Sequence, residues 1–155
     1  AAKRRQPPGM GNDTIHALRS WYMRRACKRK FRERTAVKIQ ESAENYLETI
    51  LILQRQKGAV RSIDIANELE YSKPSISVAM KNLREHGYIR MDGDGFISLT
   101  ESGRKIAETM YERHTWISNW LVSLGVDEKT AVQDACRIEH VISQESFDAI
   151  KQKMG

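Results

Sequence analysis

The sequence predicts a mainly α-helical fold, a winged helix-turn-helix domain followed by an all-helical domain. Three observations predict it. Apolar residues recur at helical spacing through most of the chain after Ser42. Two short helical stretches, RSIDIANELEYS and PSISVAMKNLREHG, are joined by a tight turn. In YIRMDGDGFISLT an Asp-Gly turn separates two apolar runs, which is a strong hairpin signal.

At 155 residues the chain is one domain, or one domain with an appendage. Its 40% hydrophobic and 30% charged content fits a globular protein. No apolar run approaches the ~20 residues that a membrane span needs. The opening AAKRRQPPGMGND has basic residues without an apolar stretch behind them, so it does not read as a secretory signal. Cys27 and Cys136 stand in different contexts, which gives no disulfide framework and points to a reducing, cytoplasmic setting.

The net charge of +6 is unevenly spread. Residues 1–40 hold twelve Lys/Arg against two Asp/Glu, or +10, and residues 41–155 hold fourteen against eighteen, or −4. The basic balance therefore belongs to the first quarter and does not by itself make the rest a nucleic-acid binder.

Taken in order, residues 1–13 carry Pro7, Pro8, Gly9 and Gly11 and are expected to be flexible. In the stretch that follows, Ile15, Leu18 and Tyr22 make a short stripe that a run of Arg and Lys then swamps. A basic helix of this kind suits phosphate or a membrane surface, and the competing expectation is disorder or a segment foreign to the natural fold. A valine start codon at Val37 would begin the natural product near VKIQES.

From Ser42, Ala43, Tyr46, Leu47, Ile50, Leu51 and Leu53 follow a helical pattern that Gly58 should stop. Ser62 is expected to cap the next helix, whose apolar positions are Ile63, Ile65, Ala66 and Leu69. Ser72 is expected to cap the one after it, with Pro74 in its first turn and Gly87 at its end. After the hairpin, Ile106, Met110, Ile117, Leu121 and Leu124 mark one side of a long helix that Gly125 breaks. Asp127 should cap DEKTAVQDACRIEHVIS, and QESFDAIKQKM closes the chain as a short helix.

In a winged helix the second helix of the helix-turn-helix enters the major groove, and the wing touches backbone or minor groove. Here Ser72, Lys73, Pro74, Ser75, Ser77 and Val78 should face base edges, with Ser62 at the start of the preceding helix, while Lys81 and Arg84 suit phosphates. The first turn holds no Arg, Asn or Gln for a bidentate base contact. Thymine methyls and groove shape would then be read, with modest specificity per half-site that two half-sites would raise.

The stretch DACRIEHVIS places Cys136, Glu139 and His140 at i, i+3 and i+4, on one helical face. Alone, such a run is as often a coincidence on a surface helix. His114 on the preceding helix, with Asn45 and Glu48 at i, i+3 near the start, make a three-helix cation site a reasonable alternative. Glu44 and Glu48, four apart, read as a solvated carboxylate pair. His86 suits the C-terminal end of its helix better than a metal. Trp116 and Trp120 suit a core or an interface between subunits equally well. Ile138, Val141 and Ile142 should pack in the core or across such an interface.

From about Ser42 to Ile150 the chain resembles the diphtheria toxin repressor family of iron- and manganese-dependent transcriptional regulators. The resemblance rests on AENYLETILIL, IDIANELEYSKPSISVAMKNL, ERHTWISNWL and DACRIEHVIS. It implies metal ligation by His114, Cys136, Glu139 and His140, and by Glu48 as in manganese-type members. Asn45 falls where those members have Asp and iron-type members Met, a departure that lowers the site's negative charge. The carboxylate and histidine of the iron-type second site are replaced by Ser118 and Val132. The resemblance further implies a short form of the family without its C-terminal SH3-like domain. The donor set suits Mn(II) or Fe(II), with Zn(II) and Co(II) as competitors.

The expected organisation is a basic extension over 1–40, a winged-helix DNA-binding domain over 41–102, and a helical metal-binding and dimerisation domain over 103–155. The expected function is a homodimeric, metal-dependent repressor of manganese or iron homeostasis genes on a double-stranded, palindromic operator. No enzyme activity, membrane partner or small-molecule substrate is expected. Two rivals remain: a metal-independent winged-helix protein with a vestigial cluster, and a metallohydrolase using Glu139 as general base.

Overall fold

A computed structural model describes residues 35–154, with side chains from Gln40. The stretch 1–13 expected to be flexible, the apolar stripe of Ile15, Leu18 and Tyr22, most of the basic run after it, and Cys27 lie outside the described residues. Helix α1 (Thr35–Lys57) is followed by α2 (Ser62–Leu69), α3 (Lys73–Glu85), strands β1 (Ile89–Met91) and β2 (Ile97–Leu99), then α4 (Glu101–Ser123), α5 (Glu128–Val141) and α6 (Gln144–Met154).

The stretch of α1 from Asn45 to Leu53 is buried on almost every side. Leu47, Ile50 and Leu51 enter a core shared with Val60, Ile65, Leu69, Ile76, Met80, Leu83, Ile89 and Ile97. A helix in this position shows little amphipathic contrast because it is covered all round. Gly58 stops it in a left-handed conformation (φ +80°), as expected.

Helix α2 begins at Ser62 itself, and its cap lies one residue earlier than expected. Arg61, not Ser62, is the N-cap, and the Asp64 carboxylate accepts from the Arg61 backbone N–H at 2.8 Å. The carboxylate three residues into the helix does the capping that the Ser62 hydroxyl was expected to do. Lys57 also donates to Asp64, and this hydrogen bond, first among several causes, holds the Asp64 carboxyl below its ordinary value. Glu70 ends α2 at φ +53° and the Tyr71 N–H bonds back to the Ala66 carbonyl. This sharp turn lets α3 cross α2. Ser72 caps α3 by accepting from the Ser75 N–H at 3.3 Å, with Pro74 just inside. At the other end His86 Nδ1 donates to the Asn82 carbonyl at 2.7 Å, a capping role as expected.

Strands β1 and β2 pair antiparallel, Ile89 with Leu99 and Met91 with Ile97. Between them Asp92 Oδ1 accepts from the Asp94 and Phe96 N–H groups and fixes the wing turn. The wing is tied to the α1–α2 junction: the Ile97 N–H donates to the Val60 carbonyl at 2.8 Å, and Gln54 Nε2 donates to the Ile97 carbonyl.

Helix α4, capped by Thr100, joins the two halves. Ala107, with Ile106 and Tyr111 beside it, packs into the first core. Ile117 belongs to a second, smaller core with Ala135 and Phe147, against which Trp116, Leu121, Ile138 and Ile142 pack. Leu124 is the exception on the expected α4 stripe: it is 57% exposed just past the helix end. Val141 likewise faces outward at 72% exposure, while Ile138 and Ile142 turn inward. Among the described residues no helix is long and apolar enough to cross a membrane.

Candidate metal centre and DNA-reading face

The residues expected to meet DNA line one exposed surface. Ser72, Lys73, Pro74, Ser75, Ser77, Val78, Lys81 and Arg84 are all exposed, because Ile76, Met80 and Leu83 turn the opposite side of α3 into the core. Val78 stands 60% exposed, a large apolar side chain held in solvent on the helix that would meet base edges. Ser62 is half-buried at the start of α2.

The second constellation forms where α4 meets α5, the most extensively packed pair of helices described. His114 on α4 is fully buried. Its Nδ1 lies 2.8 Å from Glu139 Oε2 and 3.6 Å from Cys136 Sγ. His114, Cys136 and Glu139 each offer a ligand atom, all within 4.8 Å of one another. His140 joins through its Nε2, 3.3 Å from Glu139 Oε1. The i, i+3, i+4 face read from the sequence is therefore real, and it points inward. Glu139, at 0% exposure, excludes a surface run.

Asn45 and Glu48 are buried on α1, at 5% and 0% exposure. That side of α1 is brought to the cluster by a residue the sequence reading assigned to solvent. Glu44 Oε2 accepts from His140 Nδ1 at 2.8 Å, across 96 positions of chain. Burial alone pushes the His140 imidazolium down, but the Glu44 hydrogen bond and the charges of Glu139, Glu44 and Glu41 outweigh it and hold His140 above the ordinary imidazole value. Nothing local in the sequence separates Glu44 from an ordinary surface glutamate.

Arg113 is the other residue the sequence reading passed over. It is 8% exposed, and it donates from Nη1 to the carbonyls of Glu139 and Ile142 at 3.0 and 3.1 Å, and from Nη2 to Gln144 Oε1 at 2.7 Å. It closes the C-terminal end of α5, where carbonyls have no intrahelical donors. Arg113→Ala would strand those buried carbonyls and is expected to cost about 3 kcal/mol, read as a lowered denaturant midpoint.

The donor set fits a divalent transition ion: the imidazole of His114, the Cys136 sulfur and the Glu139 carboxylate converge, a second imidazole, His140, touches that carboxylate, and Asn45 and Glu48 lie buried on α1, outside the converging group. A winged helix whose core helices also carry such a cluster defines a metal-responsive DNA-binding regulator. The comparisons agree. The profile of the iron dependent repressor N-terminal DNA binding domain matches residues 38–95, and that of the iron dependent repressor metal binding and dimerisation domain matches residues 100–155. The transcriptional regulator MntR of Escherichia coli is 35% identical over 128 residues, which cover 81% of this chain and 83% of that protein. The HTH-type transcriptional regulator MntR of Lysinibacillus sphaericus is 32% identical over 109 residues, 70% of this chain and 78% of that one. A solved manganese-dependent transcriptional repressor complex with manganese is 29% identical, with a TM-score of 0.66 over 73% of this chain. The metal-dependent transcriptional regulator MtsR superposes with a TM-score of 0.67 at 24% identity over 72% of this chain. This chain spans about half the length of those two solved chains, 52% and 53%. The chain belongs to the iron-dependent repressor family of metal-dependent transcriptional regulators.

Proposed function

We propose that the protein is a manganese- or iron-activated repressor that works as a homodimer on a palindromic operator. His114, Cys136, Glu139 and His140 hold the ion, with Asn45 and Glu48 contributing from α1. The observation that carries this reading is the convergence of His114, Cys136 and Glu139 within 4.8 Å, with His114 on α4, the helix that packs against α1 of the winged helix. Bound there, a divalent ion would supply positive charge against the buried carboxylates and a common attachment point for α4, α5 and α1.

The residues then fix the posture of the DNA-reading half. Helix α1 meets the rim of the cluster through Glu44 and His140 and is also the centre of the winged-helix core. A change in its angle to α5 therefore moves α3. In a dimer, two α3 helices must sit about 34 Å apart to enter successive major grooves. Leu124 and Val141, exposed on the second half, suit the apolar centre of an interface between subunits. Manganese is favoured by the likeness to the solved manganese-dependent repressor, and a Cys136 thiolate would bring Fe(II) equally into range.

The test is elemental analysis of the purified protein, with duplex binding measured before and after chelation. Stoichiometric metal and loss of duplex binding on chelation are expected. Chelator-insensitive binding would favour the metal-independent alternative.

A further inference from the structure

We propose that Glu44 is a positioning residue that carries metal occupancy into the DNA-reading half, by accepting the Nδ1–H of His140 across the gap between α5 and α1. The inference rests on the proposed function and deepens it.

The two nitrogens of His140 face different partners. Nε2 lies on the side of Glu139 and the cluster, at 3.3 Å from Oε1, while Nδ1 meets Glu44 Oε2 at 2.8 Å. A neutral imidazole carries one N–H, so a ring that ligates through Nε2 must carry its proton on Nδ1. Ligation thereby turns His140 into an obligatory donor to Glu44. Without an ion the ring has a carboxylate on each side, Glu139 at Nε2 and Glu44 at Nδ1. An ion taken up at Nε2 fixes the ring toward the cluster and leaves Nδ1 committed to Glu44. Carboxylates that accept from the far nitrogen of a ligating histidine orient the ring and raise its basicity. Here that carboxylate stands on a different helix, one that belongs to the DNA-reading half.

The placement gives this one bond leverage. Among the described residues α1 packs far more broadly on α4 than on α5. The other Glu44 oxygen, Oε1, accepts from Gln40 Nε2 on the same helix at 3.4 Å, which holds the carboxylate toward His140. One turn further on, Leu47, Ile50 and Leu51 enter the core that carries α3. A pull on Glu44 is a pull on that core.

The test uses the full chain as wild type, Glu44→Ala and Glu44→Gln. The probes are Co(II), read by its visible spectrum, and a duplex selected from a random-sequence pool by the Mn(II)-loaded wild type. Co(II) affinity is measured with and without the duplex. The ratio of the two equals the factor by which metal tightens DNA binding, because coupling is reciprocal. The wild-type ratio is expected within about 5–150. In Glu44→Ala it should fall severalfold, while Co(II) affinity without duplex drops only about tenfold. Glu44→Gln should keep part of the ratio, since its amide oxygen still accepts from Nδ1. A wild-type ratio retained by Glu44→Ala would overturn the inference and leave the functional reading standing. Loss of all Co(II) binding in both variants would also overturn it, by making Glu44 a ligand. A ratio of one in the wild type would sink the functional reading and the inference together.

Discussion

His140→Ala should abolish metal-dependent operator binding while leaving the fold intact. Two interactions disappear with the ring: the Nε2 approach to Glu139 and the Nδ1 bond to Glu44. On the proposed reading Nε2 is the nitrogen offered to the ion; the Nδ1 bond is a tie between α5 and α1. The ring is only about one-seventh exposed, but it sits at the rim of the cluster, whereas His114 is enclosed at 0%. Its loss should therefore open the site to water rather than leave a buried charge stranded. Helix α5 keeps its cap at Asp127 and its packing through Ala131, Val132 and Ala135, so circular dichroism should be unchanged. A metal-linked gain in duplex affinity of about 5–150-fold is the usual size of such coupling, and it should fall to about one. Fluorescence anisotropy of a labelled duplex, titrated with Mn(II) and then with chelator, reads it. A titration in which the variant still responds to metal as the wild type does would count against the ligand assignment.

The fold was legible in this sequence to an unusual extent, for local reasons. The caps at Ser72 and Asp127, the stop at Gly58 and the wing turn are each written within a few residues, and each forms as expected. The α2 cap lies one residue earlier than expected because a carboxylate inside the helix, Asp64, captured the N-cap N–H. The ligand face of α5 was legible because its three donors share a single helix. Glu44 and Arg113 were not. Their partners lie 96 and 26 to 31 positions away, so only the packing of α1 and α5 against α4 gives those side chains a role. The exposure of Val141 was open for a related reason: periodicity places it on an apolar flank but does not say whether the rest of the chain packs there, and it stands exposed.

Gly103→Ala should destabilise the protein severely, although alanine is the better helix former. Gly103 lies in the first turn of α4, where its N–H donates to the Thr100 hydroxyl. A Cβ built there would stand 2.0 Å from the Tyr88 carbonyl oxygen, 2.9 Å from its carbonyl carbon and 3.2 Å from its Cα. All three are backbone atoms, so no rotamer change relieves the overlap. The same Tyr88 oxygen accepts from the Thr100 N–H at 3.0 Å, which pins α4 against the entry to β1. Two effects oppose each other. Replacing glycine by alanine inside a helix favours folding by up to about 1 kcal/mol. Overpacking against a fixed partner costs typically ~1–3 kcal/mol and occasionally more, and here the partner is the main chain itself. The clash should win, with a net loss of about 2 kcal/mol or more and a melting temperature lower by roughly 4–8 °C. The strand entry must move if the helix does not. Ile89, 2% exposed and paired with Leu99, would be drawn from the core with it. The wing would then lose its fixed relation to α3, and duplex binding should weaken even at temperatures where the variant is folded. A thermal melt beside a duplex titration separates the two effects; a melting temperature equal to or above wild type would mean that α4 and Tyr88 are not in the contact described.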